Sequence, residues 1–110
     1  MAGYVYGGYN GYTTLVSGFT DASYYSSGAT TVDFTQINNY GGGTWTYTIY
    51  LQRKTSSGWK TTDSLSGSFS NQVTRSFNIT DNLPGEYRIR GDLKMGSSNT
   101  NYTDGFMIYR

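Results

Sequence analysis

The chain has 110 residues and a formal net charge of +1, with 15 Gly, 12 Tyr, one Pro and neither Cys nor His. That length suits one domain with one modest core. Without Cys or His, disulfides, thiol nucleophiles, Cys-type zinc and iron–sulfur sites and the commonest general base are excluded, and a near-neutral charge without Lys/Arg runs gives no electrostatic footprint for nucleic acid or an anionic membrane.

No window repeats apolar residues at helical spacing, whereas period-2 alternation recurs throughout, so the chain reads as all-β. Residues 1–12 repeat Tyr and Gly (Tyr4, Tyr6, Gly7, Gly8, Tyr9, Gly11, Tyr12) and read as an N-terminal arm or edge strand ahead of a domain over 13–110. Next come strands over 12–19, with Leu15, Ser17 and Phe19 inward, and over 30–37, with Val32, Phe34 and Gln36 inward. Residues 44–54 place Trp45, Tyr47, Ile49 and Leu51 on one face and Thr46, Thr48, Tyr50, Gln52 and Lys54 on the other. A strand over 59–65 surrounds Trp59. In 72–79 Val73, Phe77 and Ile79 face in, and Arg75 interrupts that set, which predicts a bulge or an edge. Residues 86–95 turn Tyr87, Ile89, Gly91, Leu93 and Met95 inward and Arg88, Arg90, Asp92 and Lys94 outward; a last strand covers 105–110 with Phe106 and Ile108 inward. Turn chemistry separates them at Gly41-Gly42-Gly43, Ser56-Ser57-Gly58, 81–85 and Gly96-Ser97-Ser98-Asn99. Strands at this spacing predict a sandwich or barrel.

The run Ile79-Thr80-Asp81-Asn82-Leu83-Pro84-Gly85-Glu86-Tyr87 resembles the approach to strand F in fibronectin type III and related immunoglobulin-like domains. The segment from Tyr47 to Lys54, turning through Ser56-Ser57-Gly58 to Trp59, resembles strand C entering C′ in bacterial extracellular immunoglobulin-like modules. The likeness covers roughly residues 44–95 and implies a single immunoglobulin/fibronectin-III-like antiparallel β-sandwich of about seven to eight strands. It also implies that the Tyr87 hydroxyl returns to the backbone just upstream, satisfying a group left unpaired where the chain crosses between sheets.

Catalysis is not expected. The acids are six Asp and the single Glu86, scattered over turns and outward positions, with no paired-carboxylate or Ser–Lys pattern. No Asp-x-Asp-x-Asp-Gly loop gathers Asp21, Asp33, Asp81, Asp92 or Asp104, so no metal or cofactor is expected. The tripeptide Arg90-Gly91-Asp92, read by many integrins from flexible loops, here falls in mid-strand with Gly91 toward the core. The sequons Asn78-Ile79-Thr80 and Asn101-Tyr102-Thr103 are what chance supplies in a chain so rich in Ser and Thr.

Alternation groups Tyr50, Arg88, Arg90, Asp92 and Lys94 with Met107, Tyr109 and Arg110 on the outward side of one sheet. One reading of this face is solvated cross-strand support, Arg stacking on Tyr and pairing with Asp92. The other is a flat binding face, with Tyr50, Arg88, Arg90, Lys94 and Tyr109 as its contacts: Tyr rings supply area at little entropy cost and Arg forks grip carboxylates, phosphates or sugar hydroxyls. No stretch approaches the ~18 apolar residues of a helical membrane span, and only 14% of residues are charged against about 25% in ordinary domains. That composition is the habit of extracellular β proteins, and the opening Met-Ala-Gly resembles a start added to a mature exported chain. The expectation is a secreted or cell-surface binding module for a glycan or cell-surface protein, without nucleic acid or membrane insertion, of Gram-positive or phage origin since disulfides are lacking. The alternatives are a small secreted inhibitor or antibacterial toxin, or a surface subunit that self-associates through the N-terminal arm or an edge strand.

Overall fold

The computed structural model describes residues 4–5 and 16–110. Within them the chain is all-β, with strands β1 (Tyr4–Val5), β2 (Val16–Thr20), β3 (Tyr24–Tyr25), β4 (Thr31–Asn38), β5 (Trp45–Thr55), β6 (Gly58–Phe69), β7 (Gln72–Asn78), β8 (Gly85–Met95), β9 (Ser97–Thr103) and β10 (Phe106–Ile108). Two sheets face each other as an immunoglobulin-like antiparallel sandwich. The smaller is β2-β4-β7. In the larger, β6 pairs with β5, β5 with β8, and the far side of β8 carries β9 along one stretch and β10 along another, with β1 outside β9 and β3 parallel to β10. Since β9 and β10 run as one interrupted strand, the sandwich has about nine.

The alternation read in three segments holds. Trp45, Tyr47, Ile49 and Leu51 of β5, Val32, Phe34 and Gln36 of β4, and Tyr87, Ile89, Gly91 and Leu93 of β8 are all buried. Phe77, Ile79, Phe106 and Ile108 complete one continuous core between the sheets. Each fully buried apolar side chain of this size contributes about 1.5–3 kcal/mol, so this inner layer carries the fold.

Four expectations change. The first strand has the opposite phase: Val16, Gly18 and Thr20 are buried and Phe19 is only half-buried on the other side, while Leu15 lies outside the described residues. Register is the cause, because Gly18 and Thr20 sit opposite Gln36 and Phe34, and cross-strand partners share a face. At 96–99 only Gly96, with a φ of 79°, forms the turn, and Ser97–Thr103 are a full strand. Asn101 and Thr103 are buried there, so an inward polar row hides the strand from any hydrophobic count. Thr103 accepts the Ile89 amide at 2.9 Å, satisfying the donor left where β9 gives way to β10. The strand around Trp59 extends to Phe69, and the last strand shortens to Phe106–Ile108. At Arg75 the expected choice of bulge or edge resolves to an edge: β7 pairs in continuous register with β4, its single strand neighbour among the described residues. Its guanidinium donates to the Tyr47 hydroxyl at 2.9 Å and the Ser66 carbonyl at 3.0 Å, bridging β7 to the other sheet.

Candidate functional site

The outer face of the larger sheet is assembled by register. Tyr50 of β5, Arg90 of β8 and Tyr102 of β9 are consecutive partners in one row, and Gln52 and Arg88 are partners in the next. Trp59 stands opposite Lys54 on the same side of β6. The Arg88 guanidinium therefore has an aromatic neighbour on each flank: its central carbon lies 4.4 Å from the Trp59 ring centroid and 4.1 Å from that of Tyr102. Its Nε donates to Oε1 of the buried Gln52 at 2.8 Å, and Gln52 Nε2 donates to Thr61 at 3.3 Å. Burial between the rings lowers the Arg88 pKa from its ordinary value. Arg90 lies 5.3 Å from the Tyr50 ring and forks onto both Asp92 oxygens at 3.0 and 3.1 Å. That hydrogen-bonded pairing raises the Arg90 pKa, and Thr100 adds a donor to the same carboxylate at 3.1 Å.

Of the five predicted contact residues, the fold brings Tyr50, Arg88 and Arg90 together. Lys94 lies in the row of Thr46 and Ser98, about 13 Å along β8 from Arg90 at the usual strand rise. Tyr109 is at the opposite end, edge to face with Tyr24 at 6.3 Å, two exposed rings beside β3. Arg110, grouped with this face by the sequence, turns elsewhere: it donates to the carbonyls of Asn82, Ser27 and Ile79 and ties the chain end to those loops. The integrin-type tripeptide is mid-strand, with Gly91 buried and its two charges paired to each other.

Trp59 and Tyr102 escaped sequence reasoning as site residues. Trp59 had a signal, an aromatic at the start of an otherwise Ser/Thr-rich strand. Tyr102 had only the outward series Ser98, Thr100, Tyr102, which is legible once 97–103 is known to be a strand. Around these rings the face presents hydroxyls, with Thr48 and Ser66 bonded to each other at 3.0 Å across β5 and β6. Among the described residues no three of His, Cys, Asp or Glu gather into a metal site.

Residues 2–107 match a family model described as the YqgA MG2 macroglobulin domain. The chain belongs to that family. The match supports the immunoglobulin-like level of the resemblance, in agreement with the two facing sheets. No curated protein matches the chain. In this macroglobulin domain the outer face is a pre-ordered plane: two of its cations are held against rings and one of those is neutralised by Asp92, so it offers ring surface and hydroxyls more than free positive charge.

Proposed function

We propose that this domain is a non-catalytic, exported binding module that recognises glycans on a cell surface through the outer face of the larger sheet. The observation that carries the reading is the Trp59–Arg88–Tyr102 stack with Tyr50 and Arg90 beside it. Rings fixed in place by strand register and by stacked guanidinium groups lose little freedom when a partner lies on them, so contact area converts efficiently into affinity. The neighbouring Ser and Thr rows supply donors and acceptors for sugar hydroxyls. The finer likeness to fibronectin type III domains is supported by the Leu83–Tyr87 corner, where the Tyr87 hydroxyl donates to the Leu83 carbonyl at 2.6 Å.

The test is retention of the purified protein on insoluble polysaccharides and bacterial cell walls at low and physiological salt. A Tyr50→Ala/Arg88→Ala/Arg90→Ala variant, with its far-ultraviolet circular dichroism unchanged, runs beside it. Retention of the parent with loss in the variant supports the face as a glycan site. Equal retention of both discards the face, and retention of neither rejects glycan recognition for those surfaces.

A second reading, self-association, is favoured by β7, which pairs on one side alone among the described residues. Light scattering across a concentration series separates it from glycan binding.

A further inference from the structure

On the inner side of the larger sheet, where β5 and β6 run past the core toward their hairpin, the residues are polar. Arg53 of β5 and Lys60 of β6 are direct cross-strand partners. They continue the inward row of Leu51, and Tyr87 stands opposite Arg53 on β8. The loop leading to Tyr87 forms the facing wall: Arg53 Nε and Nη2 donate to the Pro84 carbonyl at 3.1 and 2.7 Å, and Tyr87 holds Leu83. Between them lies a cleft of about 270 Å³ lined by Arg53, Lys60, Thr55, Thr62, Asp81 and Leu83.

Two like charges placed directly opposite in a sheet repel each other. Here neither has a carboxylate in salt-bridge range among the described residues, the two ion pairs there being Lys54–Glu86 and Arg90–Asp92. The cleft therefore carries an excess of positive charge, two cations against the Asp81 carboxylate, with neither cation held in an ion pair. Acceptors outnumber donors among its other polar groups: Thr55 donates to the Gly58 carbonyl and Thr62 to the Leu51 carbonyl, which leaves lone pairs on both hydroxyls for a ligand beside the Asp81 carboxylate, while the buried Asn82 Nδ2 is a donor without a partner among the described residues. Leu83, 63% exposed, adds an apolar wall.

We propose that this cleft binds a single acidic sugar unit of the hexuronate type. Its carboxylate sits between Lys60 and Arg53, its ring hydroxyls donate to Thr55, Thr62 and Asp81, and its apolar ring edge meets Leu83. An acidic amino-acid side chain has the carboxylate but no hydroxyls for those acceptors, and a neutral sugar leaves the two cations unmatched. The volume, just under the ~300 Å³ at which drug-sized pockets begin, suits one ring. The site is distinct from the outer face, and neither proposal depends on the other.

The experiment is a ¹⁵N chemical-shift titration of the full chain with glucuronate, and in parallel with glucose, glutamate, acetate and inorganic phosphate at constant ionic strength. The expected result is saturable movement of the Lys60, Thr62, Asp81 and Leu83 amides with glucuronate, at concentrations at least tenfold lower than for any of the other four. Lys60→Met removes one charge at an exposed position and weakens glucuronate about tenfold or more. Thr62→Val weakens it while leaving the acetate response unchanged. The Tyr50→Ala/Arg88→Ala/Arg90→Ala variant binds it like the parent. Equal response to phosphate, acetate or glutamate, equal response to glucose, shifts centred on Tyr50 and Tyr102, or no saturable shift each overturns the proposal.

Discussion

The Tyr87 hydroxyl donates to the Leu83 carbonyl at 2.6 Å, closing a loop of four residues at the point where the chain passes from the smaller sheet into the centre of the larger one. Tyr87 is itself fully buried, so the bond ties an exposed loop to the core. Tyr87→Phe keeps the ring packing and removes only that bond. It lowers unfolding stability by about 1–2 kcal/mol in urea, and amide exchange at Gly85 and Glu86 accelerates. A variant as stable as the parent would show that water replaces the bond without cost.

Arg88 is expected to act through shape as well as charge. Stacked cations are worth about 0.5–2 kcal/mol each way, depending on desolvation, and Arg88 touches two rings and Gln52. Arg88→Lys retains the charge but not the planar fork, and it destabilises by about 1–2 kcal/mol. A double-mutant cycle with Trp59→Leu gives a coupling of at least ~0.5 kcal/mol, and additivity of the two changes would disprove the stack's contribution.

Alkaline conditions loosen the fold through two tyrosines. Burial, with the Asp21 carboxylate 2.5 Å from its hydroxyl, raises the pKa of Tyr25 well above the ordinary value. Burial also raises Tyr87, against the opposing pull of Arg53. Unfolded tyrosines lose their protons near pH 10, so above that point the unfolded chain binds fewer protons than the folded one. The stability contribution is intact below about pH 10 and is lost progressively as pH rises from there through the raised values of the folded state. Tm is level from pH 7 to 9 and falls beyond pH 10, and the slope of that fall is smaller in Tyr25→Phe/Tyr87→Phe, whose absolute stability is lower.

Gly67 sits where β6 passes beneath the Arg75–Tyr47 contact. A methyl group there lies 2.7 Å from the Tyr47 hydroxyl and 3.3 Å from Arg75 Nη1. Gly67→Ala therefore displaces the bond that bridges the two sheets, at a cost of about 1–3 kcal/mol. Arg75→Met relieves part of that clash, so the double variant loses less than the sum of the two single ones. Strict additivity would place the strain elsewhere.

A segment as short as 44–54 shows which of its residues face the core, because alternation is a property of one strand and needs no partner. Trp45 to Leu51, Val32 to Gln36 and Tyr87 to Leu93 were legible for that reason, and so was the corner, where Leu83-Pro84-Gly85 and Tyr87 lie within a few residues of one another. The phase of β2 was not legible, since Val16, Gly18 and Thr20 face inward only because β4 pairs with them in that register. Neither was β9, whose inward residues are polar and bonded to β8: Asn101 donates to the Gly91 carbonyl and Thr103 accepts from Ile89. Composition and periodicity by themselves determined an all-β chain, its apolar layer and the outward placing of Tyr50, Arg88 and Arg90. Only the tertiary structure brought Trp59 and Tyr102 to either side of Arg88, set Arg53 against Lys60 and turned Arg110 onto loop carbonyls, because each of those contacts depends on register between strands or on loops far apart in the chain.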